Sequence, residues 1–376
     1  MIAKPDFIMT HEANSFASYT VKNRLPLIVR SVIDNNSFGD ETTGRLECLF
    51  RNIPDAELTL LADSSRAGKK INAEITRHKY RWNNAPFIFV ENYLYHLLKE
   101  ICDYPNTKYD YFAFKKNDDV LSKKDALSGA IEKFLNPDIH DSNESIKPVL
   151  HSNLFGNTAD LSQIGTLGKT PAKLLIDDSD KVDAVLADSS QIDIVLDNSG
   201  EELLYDLLFS CWLLDRAKTG KVNLHFKTFP YFVSDAMKSD FYFLLDELSK
   251  HKTGKIFSDI ISNHIKKGKL ILYEDDFWTD SNDFLSIPGR IKKTFAESDL
   301  VVFKGDLNYR KLVEDRHWSF SMDTAELVKH MGRNCLIIRI LKSELITGLA
   351  NVPDTANTEW MYNSKYGIIQ FVGNKR

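Results

Sequence analysis

The stretch Gln191-Ile-Asp-Ile-Val-Leu-Asp-Asn-Ser-Gly-Glu-Glu-Leu-Leu-Tyr-Asp-Leu-Leu208 decides the fold, because the spacing of its apolar residues changes along its length. Residues 192–196 form an apolar run typical of a buried strand, whereas the leucines of 203–208 recur at helical spacing. In an open α/β sheet, ligands bind beyond the carboxyl ends of strands, where a helix N-terminus offers N–H groups to an anion. Asp197 and Asn198 place oxygen atoms there, and oxygen is the donor that a hard divalent cation requires.

Composition narrows the class of protein. The chain has 376 residues and 43% hydrophobic content, which is enough for a large core and about two domains. A formal charge of −5 without a dense basic cluster argues against nucleic-acid binding. The four scattered cysteines form no CxxC pair, which indicates reduced thiols and argues against zinc. No apolar run reaches the roughly 18 residues of a membrane span, so we expect a soluble cytoplasmic or nuclear protein with no membrane partner.

The first part of the chain, residues 1–165, has mainly helical patterns. Residues 25–33 have amphipathic spacing with Pro26 near the start, where a helix tolerates proline. Residues 87–98 are apolar on most sides and predict a buried helix. Glu91 within this helix has two interpretations, a functional side chain or a glutamate on the one wet face of the helix.

From residue 174 onward, strand and helix patterns alternate. We expect strands at 192–196, 222–226, 270–273, 300–303 and 336–340, and helices that begin at Glu201, Asp235, Leu307 and Ser343. This alternation predicts βαβ units and a mainly parallel sheet, hence an α/β domain over residues 166–376. A last strand at 367–373 is expected at an edge of the sheet, in either direction.

Polar residues follow several of these strands and should converge at one edge of the sheet. Those of interest are Asp197, Asn198, Glu202, Asp235, Asp306, Arg310, Arg339 and Lys342. Carboxylates flanked by cations suit a phosphate ester bound together with a divalent metal. Structural roles remain open for each: Asn198 and Asp306 stand where helix N-caps are favoured. Arg310 could pair with Asp306 or Glu314 along a helix, and Lys342 could be a solvated residue at a strand end.

Other motifs fail on inspection. Gly165-Thr-Leu-Gly-Lys-Thr170 resembles the end of a phosphate-binding loop, but Gln163 stands where the motif needs glycine. Asp177-Asp-Ser-Asp180 is interpreted as a cap and loop. The glycine-rich GxGxxG loop is absent, which argues against a nucleotide or adenosyl cofactor.

Three segments resemble the damage-control phosphatase family, one branch of which was also named acidic residue methyltransferase. They are Asp197-Asn-Ser-Gly-Glu-Glu202, Val233-Ser-Asp235 and Lys304-Gly-Asp-Leu-Asn-Tyr-Arg-Lys-Leu312. The likeness covers nearly the whole chain, with further echoes at Arg24-Leu-Pro26, Glu91-Asn-Tyr-Leu-Tyr95, Leu154-Phe-Gly-Asn157, Asp160-Leu-Ser162 and Phe277-Trp-Thr279. Two positions depart from the family pattern: Ile340 replaces the threonine of an Arg-Thr-x-Lys signature, and His96 replaces an arginine.

The resemblance implies a helical N-terminal region, an α/β/α three-layer domain, and a metal-dependent phosphatase that acts on small phosphorylated metabolites. Hexose phosphates such as fructose 1-phosphate and fructose 6-phosphate are the expected substrates. By the same resemblance, Asp197, Asn198 and Asp235 hold manganese, cobalt, nickel or magnesium. The implied substrate contacts are Arg24, Glu91, Glu202, Asp306, Asn308, Arg310 and Lys342. The nucleophile is either a metal-bound water or a carboxylate, of which Asp197 is the first candidate.

Two rival functions remain open at this stage. The first is an S-adenosylmethionine-dependent methyltransferase that esterifies protein carboxylates, which the missing glycine-rich loop and the oxygen ligands argue against. The second is a catalytically inactive binding module for sugar phosphates, which metal-dependent turnover would exclude. The sequence predicts no oligomeric state.

Overall fold

The computed structural model describes residues 3–136, 145–156, 173–186, 189–280, 282–354 and 357–374. The expected domain boundary at 165/166 and the segment Gly165 to Thr170 lie outside these residues. The helices are α1 Phe16–Tyr19, α2 Leu25–Asp34, α3 Asp40–Asn52, α4 Arg66–His78, α5 Phe87–Ile101, α6 Tyr104–Thr107, α7 Ala113–Ser122, α8 Lys124–Leu135, α9 Lys147–Gly156, α10 Asp183–Leu186, α11 Glu201–Asp215, α12 Lys238–Ser249, α13 Lys252–Lys266, α14 Phe277–Asp280, α15 Gly289–Ala296, α16 Gly305–Val313 and α17 Thr324–Val328.

Within the described residues, seven strands form one sheet in the order β1-β7-β6-β5-β2-β3-β4. They are β1 Lys173–Asp177, β2 Gln191–Val195, β3 Lys221–Phe226, β4 Leu270–Glu274, β5 Leu300–Lys304, β6 Asn334–Ile340 and β7 Tyr366–Val372. All neighbouring pairs are parallel except β6 and β7. The mainly parallel sheet predicted from the alternation of patterns is therefore confirmed.

Two expectations about the end of the chain are wrong. β7 is not an edge strand, because β1, which the apolar pattern did not predict, pairs with it on the side away from β6. No helix begins at Ser343. The backbone N–H of Leu341 donates to Tyr366 O at 2.9 Å and that of Thr347 to the Tyr309 hydroxyl at 2.9 Å, so tertiary partners replace helical ones.

Helices cover both faces of the sheet, which confirms the three-layer architecture. On one face, residues of α8, α9, α11, α12 and α13 share a core with alternate strand residues, among them Leu150, Leu207, Phe257, Ile194 and Val302. On the other face, α14, α15 and α16 pack on the intervening strand residues. Because α8 and α9 precede the sheet in sequence yet pack on it, the helical part of the chain contributes to the sheet-covering layer.

The remaining early helices, α2 to α5, build a third core that also includes Tyr231, Val233 and Leu307 from the sheet-bearing part. α1 continues into α2 through a π-helical turn at Thr20–Arg24, a feature often found near functional sites. Buried residues occupy most of α5, as predicted, and Glu91 is only 7% exposed, which excludes the wet-face interpretation. Within the described ranges, no helix is long and apolar enough to span a membrane.

Candidate functional site

The sheet has a switch point between β2 and β5. From β2 the chain proceeds through β3 to β4 on one side, and from β5 to β6 on the other. Such a reversal of strand order opens a crevice at the carboxyl ends of the two strands. Val195 pairs with Phe303, so β2 and β5 end level with each other. Asp197 therefore lies opposite the start of α16.

One cleft opens at this edge of the sheet. Its lining residues are Phe16, Arg24, Glu91, Asp197, Asn198, Phe232, Asp235, Asp306, Leu307, Arg310 and Lys342. The cleft thus brings together every residue predicted for the site except Glu202 and Asn308. The π-helical turn before α2 contributes Arg24, and α5 contributes Glu91, so the helical part of the chain forms one wall.

A short antiparallel bridge holds Asn198 against Asp235. The N–H of Ser199 donates to Ser234 O at 2.7 Å, and the N–H of Ala236 donates to Asp197 O at 2.7 Å. The Ser234 hydroxyl donates to Asn198 Oδ1 at 2.6 Å, which fixes the orientation of the amide. The loop after β3 therefore folds back and places Asp235 beside the end of β2.

Gly305 makes room for the Asp197 carboxylate. Its φ is +80°, a left-handed conformation that favours glycine. A Cβ at this position would lie 1.8 Å from Asp197 Oδ2, closer than two non-bonded atoms can approach. The carboxylate consequently depends on glycine as the first residue of α16.

Buried carboxylates crowd the floor of the cleft. Burial raises the pKa of Asp197 well above its ordinary value, and the charges of Glu202 and Asp235 add to the effect. Asn198 Nδ2 donates a hydrogen bond to Asp197 Oδ2 at 3.0 Å. Asp235 Oδ2 lies 2.9 Å from the ammonium of Lys227, which is 1% exposed. Asp197 is therefore the carboxylate that a bound cation would stabilise most.

Glu202 and Asn308 lie behind the lining residues. Asn198 Nδ2 donates to Glu202 Oε2 at 2.8 Å, and Lys304 Nζ lies 3.3 Å from the other oxygen of Glu202. Lys304 also donates to Asp206 at 2.8 Å. The amide of Asn308 donates to Leu196 O at 3.0 Å and to Lys304 O at 2.7 Å, which ties α16 to the ends of β2 and β5. A direct substrate contact for Glu202 or Asn308 stays a prediction.

The guanidinium of Arg310 is hydrogen-bonded to two carboxylates. Its Nη1 donates to Glu91 at 2.6 Å, while Nε and Nη2 donate to the two oxygens of Asp315 at 2.8 and 2.7 Å. Burial raises the pKa of Glu91, and the charge of Arg310 opposes this. The expected pairing with Asp306 or Glu314 is not observed, because α16 ends at Val313 and Glu314 has a φ of +63°. The chain turns there and brings the next residue, Asp315, to the guanidinium.

Asp306 meets the loop after β6 instead. Its Oδ1 accepts the backbone N–H of Lys342 at 3.0 Å and lies 2.8 Å from Nη2 of Arg339, which is fully buried. Lys342 is 9% exposed, so it is not a solvated residue at a strand end. The N-cap interpretations of Asn198 and Asp306 are also wrong, since α11 has Gly200 and α16 has Lys304 at the N-cap.

The donor set suits a hard divalent cation. The carboxylates of Asp197 and Asp235 and the amide of Asn198 line the cleft together. The two carboxylates repel each other, and a bound cation would relieve this repulsion. In the described part of the chain, no three His, Cys, Asp or Glu residues group as a metal site. The third oxygen donor beside Asp197 and Asp235 is the Asn198 amide. The residues fit the expected metal, and both the binding of a metal and its identity stay predictions.

Some residues at the site are not among those predicted from the sequence. Lys227 follows β3 directly, and polar residues occupy the corresponding position after β2. The register of the two strands could therefore have identified Lys227. Phe16 and Phe232 line the cleft as apolar walls, and nothing in their local sequence distinguishes them from core residues.

The two departures from the family pattern lie away from the cleft. His96 donates from Nε2 to Thr279 O at 3.2 Å and packs on the Phe229 ring, and burial lowers its pKa to about 4. Ile340 is fully buried in the core that α9 shares with the sheet.

The sheet lies between two layers of helices, and the cleft at its switch point is lined by oxygen atoms and flanked by cations. These features define a class of protein that binds small anionic ligands at strand ends. The chain belongs to a particular family of that class: the family model described as "Damage-control phosphatase ARMT1-like domain" matches residues 20–358.

Curated relatives match along nearly their whole length. The chain is 30% identical over 442 residues to "Damage-control phosphatase ARMT1" of Bos taurus, covering 99% of this chain and 100% of the relative. It is 29% identical over 424 residues to the protein of that name from Xenopus laevis, covering 95% and 96%. A solved structure of a DUF89 family protein from Pyrococcus horikoshii superposes with a TM-score of 0.51 at 16% identity, covering 96% of this chain and 98% of that one. That likeness supports the fold alone.

Proposed function

We propose that the protein is a metal-dependent phosphatase that hydrolyses small phosphorylated metabolites, with hexose phosphates such as fructose 1-phosphate and fructose 6-phosphate as substrates. The observation that carries this proposal is the composition of one cleft. Asp197, Asn198 and Asp235 bring oxygen ligands to it, Lys342 brings an ammonium, and Arg310 brings a guanidinium that is paired with Glu91 and Asp315. A phosphate ester bound with a divalent cation needs both kinds of group.

The chain's own groups divide between charge stabilisation and attack. Asp197, Asn198 and Asp235 would hold a divalent cation, which would supply Lewis-acid stabilisation of the phosphate oxygens. Lys342 supplies an ammonium, and the N-terminus of α16 supplies backbone N–H groups to the same phosphate. Either Asp197 attacks phosphorus directly, or water attacks while Asp197 accepts its proton. In both routes the bond from phosphorus to the sugar oxygen breaks, and that oxygen takes up a proton from solvent. Direct attack leaves the phosphate bound to Asp197 as an acyl phosphate, which water must hydrolyse to release inorganic phosphate and restore the carboxylate. Attack by water releases inorganic phosphate in a single step.

The opposite wall can recognise the sugar. Glu91 and Arg310 face the cleft from α5 and α16, and Phe16 and Phe232 add apolar surface beside them. Hydroxyl groups of a hexose can exchange hydrogen bonds with the first pair. A substrate without those hydroxyls forgoes these hydrogen bonds, although Glu91 and Arg310 stay paired with each other.

The test is phosphate release from fructose 1-phosphate, fructose 6-phosphate and an aryl phosphate by metal-stripped protein titrated with manganese, cobalt, nickel and magnesium. Asp235→Ala, checked for folding, should lose metal-dependent turnover. Lys255→Ala, at an exposed position on α13, should keep it. If no metal gives phosphate above background, the proposal fails and binding of S-adenosylmethionine becomes the next question.

A rapid acid quench distinguishes the two nucleophiles. Phosphate found on Asp197 after a single turnover identifies the carboxylate as the nucleophile. Complete phosphate release with no phosphorylated Asp197 at any time identifies water.

A further inference from the structure

The loop after β3 contains two consecutive non-glycine residues with left-handed backbone. Phe232 has a φ of +44° and Val233 a φ of +69°. The left-handed region is small for any L-residue, and a β-branched side chain at positive φ is an outlier. Something other than local preference must therefore hold Val233 in this conformation.

Packing against α5 and its neighbours supplies that constraint. The Phe232 ring stacks on Tyr95 of α5, with centroids 4.7 Å apart. The Tyr231 hydroxyl donates to Asn92 Oδ1 at 2.5 Å, also on α5. Val233 itself is 1% exposed and belongs to the core of the helical region. Contacts with the helical part of the chain therefore hold this turn in place.

The near side of the same turn contacts the site. Ser234, the next residue, accepts the N–H of Ser199 at 2.7 Å and donates its hydroxyl to the Asn198 amide at 2.6 Å. Asp235 follows, and Phe232 lines the cleft. Two left-handed residues in succession are what turn the chain from the core of the helical region back to the end of β2.

We propose that Val233 is a positioning residue: packing forces it into a narrow backbone conformation, and the rigid turn that results fixes the Asn198 amide and Asp235 in the cleft. This inference rests on the proposed function, since it assigns those two side chains to metal binding. Strained residues that are held by surrounding structure cluster at functional sites for this kind of reason. The helical region, on this view, contributes to metal binding without supplying a ligand.

The test compares Val233→Ala with Val233→Gly. Both variants lose most of the buried side chain, but only glycine gains free access to other backbone conformations. In Val233→Gly, the metal concentration for half-maximal activity should rise about 10-fold or more above that of Val233→Ala, as loss of an outer-shell support does. The amides of Ser199 and Ala236 should exchange with solvent faster in the glycine variant. Val233→Gly should also melt no lower than Val233→Ala, the reverse of the order at an ordinary position.

Lys218→Gly is the matched control. Lys218 also has left-handed backbone, with a φ of +59°, but it is exposed and lies after α11, outside the cleft. Its glycine variant should leave the metal requirement and the exchange of Ser199 and Ala236 unchanged. Equal metal requirement and equal exchange in Val233→Gly and Val233→Ala would overturn the proposal.

Failure of the proposed function gives a different pattern. If the wild-type protein releases no phosphate with any metal, the phosphatase proposal fails whatever the variants do. The exchange of Ser199 and Ala236 then decides alone whether Val233 fixes the turn: faster exchange in Val233→Gly supports the role, and equal exchange in the two variants overturns it.

Discussion

Two clusters of buried charge in this protein differ in how the charges are matched. Between α7 and α12, Lys116 Nζ lies 2.5 Å from Asp110 and 2.8 Å from Asp240. Burial alone lowers the pKa of Lys116, but the two acids raise it above its ordinary value. In the cleft, no cation pairs directly with Asp197 among the residues described, and the pKa of this acid is raised by burial and by other acids.

The difference separates a structural cluster from a functional one. In a buried ion pair the attraction between the partners offsets their desolvation, and removing one partner leaves the other charge buried and uncompensated. Carboxylates that crowd together beside an open cleft raise the free energy of the unliganded site, and a cation relieves that repulsion. Mutations should therefore affect folding at the first cluster and function at the second.

The largest effect is expected for Asp197→Asn. Loss of a metal-binding or attacking carboxylate should lower kcat for phosphate release by about 10³-fold or more. The free energy of unfolding should not fall, because an amide removes repulsion from Glu202 and Asp235. Phosphate release and urea unfolding measure the two quantities, with Asp259→Asn on the exposed face of α13 as control. A variant that loses stability and activity together would contradict the distinction between the clusters.

Lys116→Met should reverse that pattern. Removing the cation leaves the buried Asp240 and the partly buried Asp110 without an ion-pair partner, which should cost about 3–5 kcal/mol of unfolding free energy. Activity per folded molecule should stay at the wild-type level, because Lys116 does not line the cleft. The double variant Lys116→Met, Asp240→Asn should lose less stability than the single one. Equal losses, measured by urea unfolding, would show that charge matching is not what holds α7 to α12.

His96 shows a third way to bury a titratable group, which is to keep it neutral. Its pKa is lowered from 6.5 to about 4 by burial, with the charge of Lys99 adding to the effect. Between these values the unfolded chain binds a proton that the folded protein does not. Stability should therefore fall by about 3 kcal/mol as the pH drops from 6.5 to 4. His96→Gln keeps a donor for Thr279 O and should abolish this loss of stability between pH 6.5 and 4, as measured by denaturant unfolding at each pH. If the variant loses the same stability as the wild-type protein, a group other than His96 causes the pH dependence.

The smallest effect is expected for Gly305→Ala. The new Cβ would meet Asp197 Oδ2 at 1.8 Å, so the carboxylate must shift. We expect kcat to fall roughly 10-fold or more, because small displacements of reacting groups are costly. Gly289→Ala, whose Cβ would meet nothing within 4 Å, is the control for kcat measurement. An unaffected Gly305→Ala enzyme would show that Asp197 needs no fixed position.

The polar residues at the strand ends could be located from the sequence because strand ends depend on local pattern. The change of period after β2 located Asp197 and Asn198, and the same reasoning applied to β5 located Asp306 and Arg310. Parallel strands bring their carboxyl ends to one edge, so residues far apart in sequence could be expected together. The edge position of β7 and the helix at Ser343 were wrong because pairing with β1 and bonds to Tyr309 override local preference.

The sequence by itself determined the parallel α/β class, the helical region before it, and the strand ends from which the site is built, because apolar spacing follows directly from the geometry of strands and helices. Only the tertiary structure decided which acids hold Arg310 and how α5 packs against the turn at Val233. Those contacts join segments that are remote in the chain, and their partners are set by packing and by the backbone conformation of single residues. No local pattern encodes them.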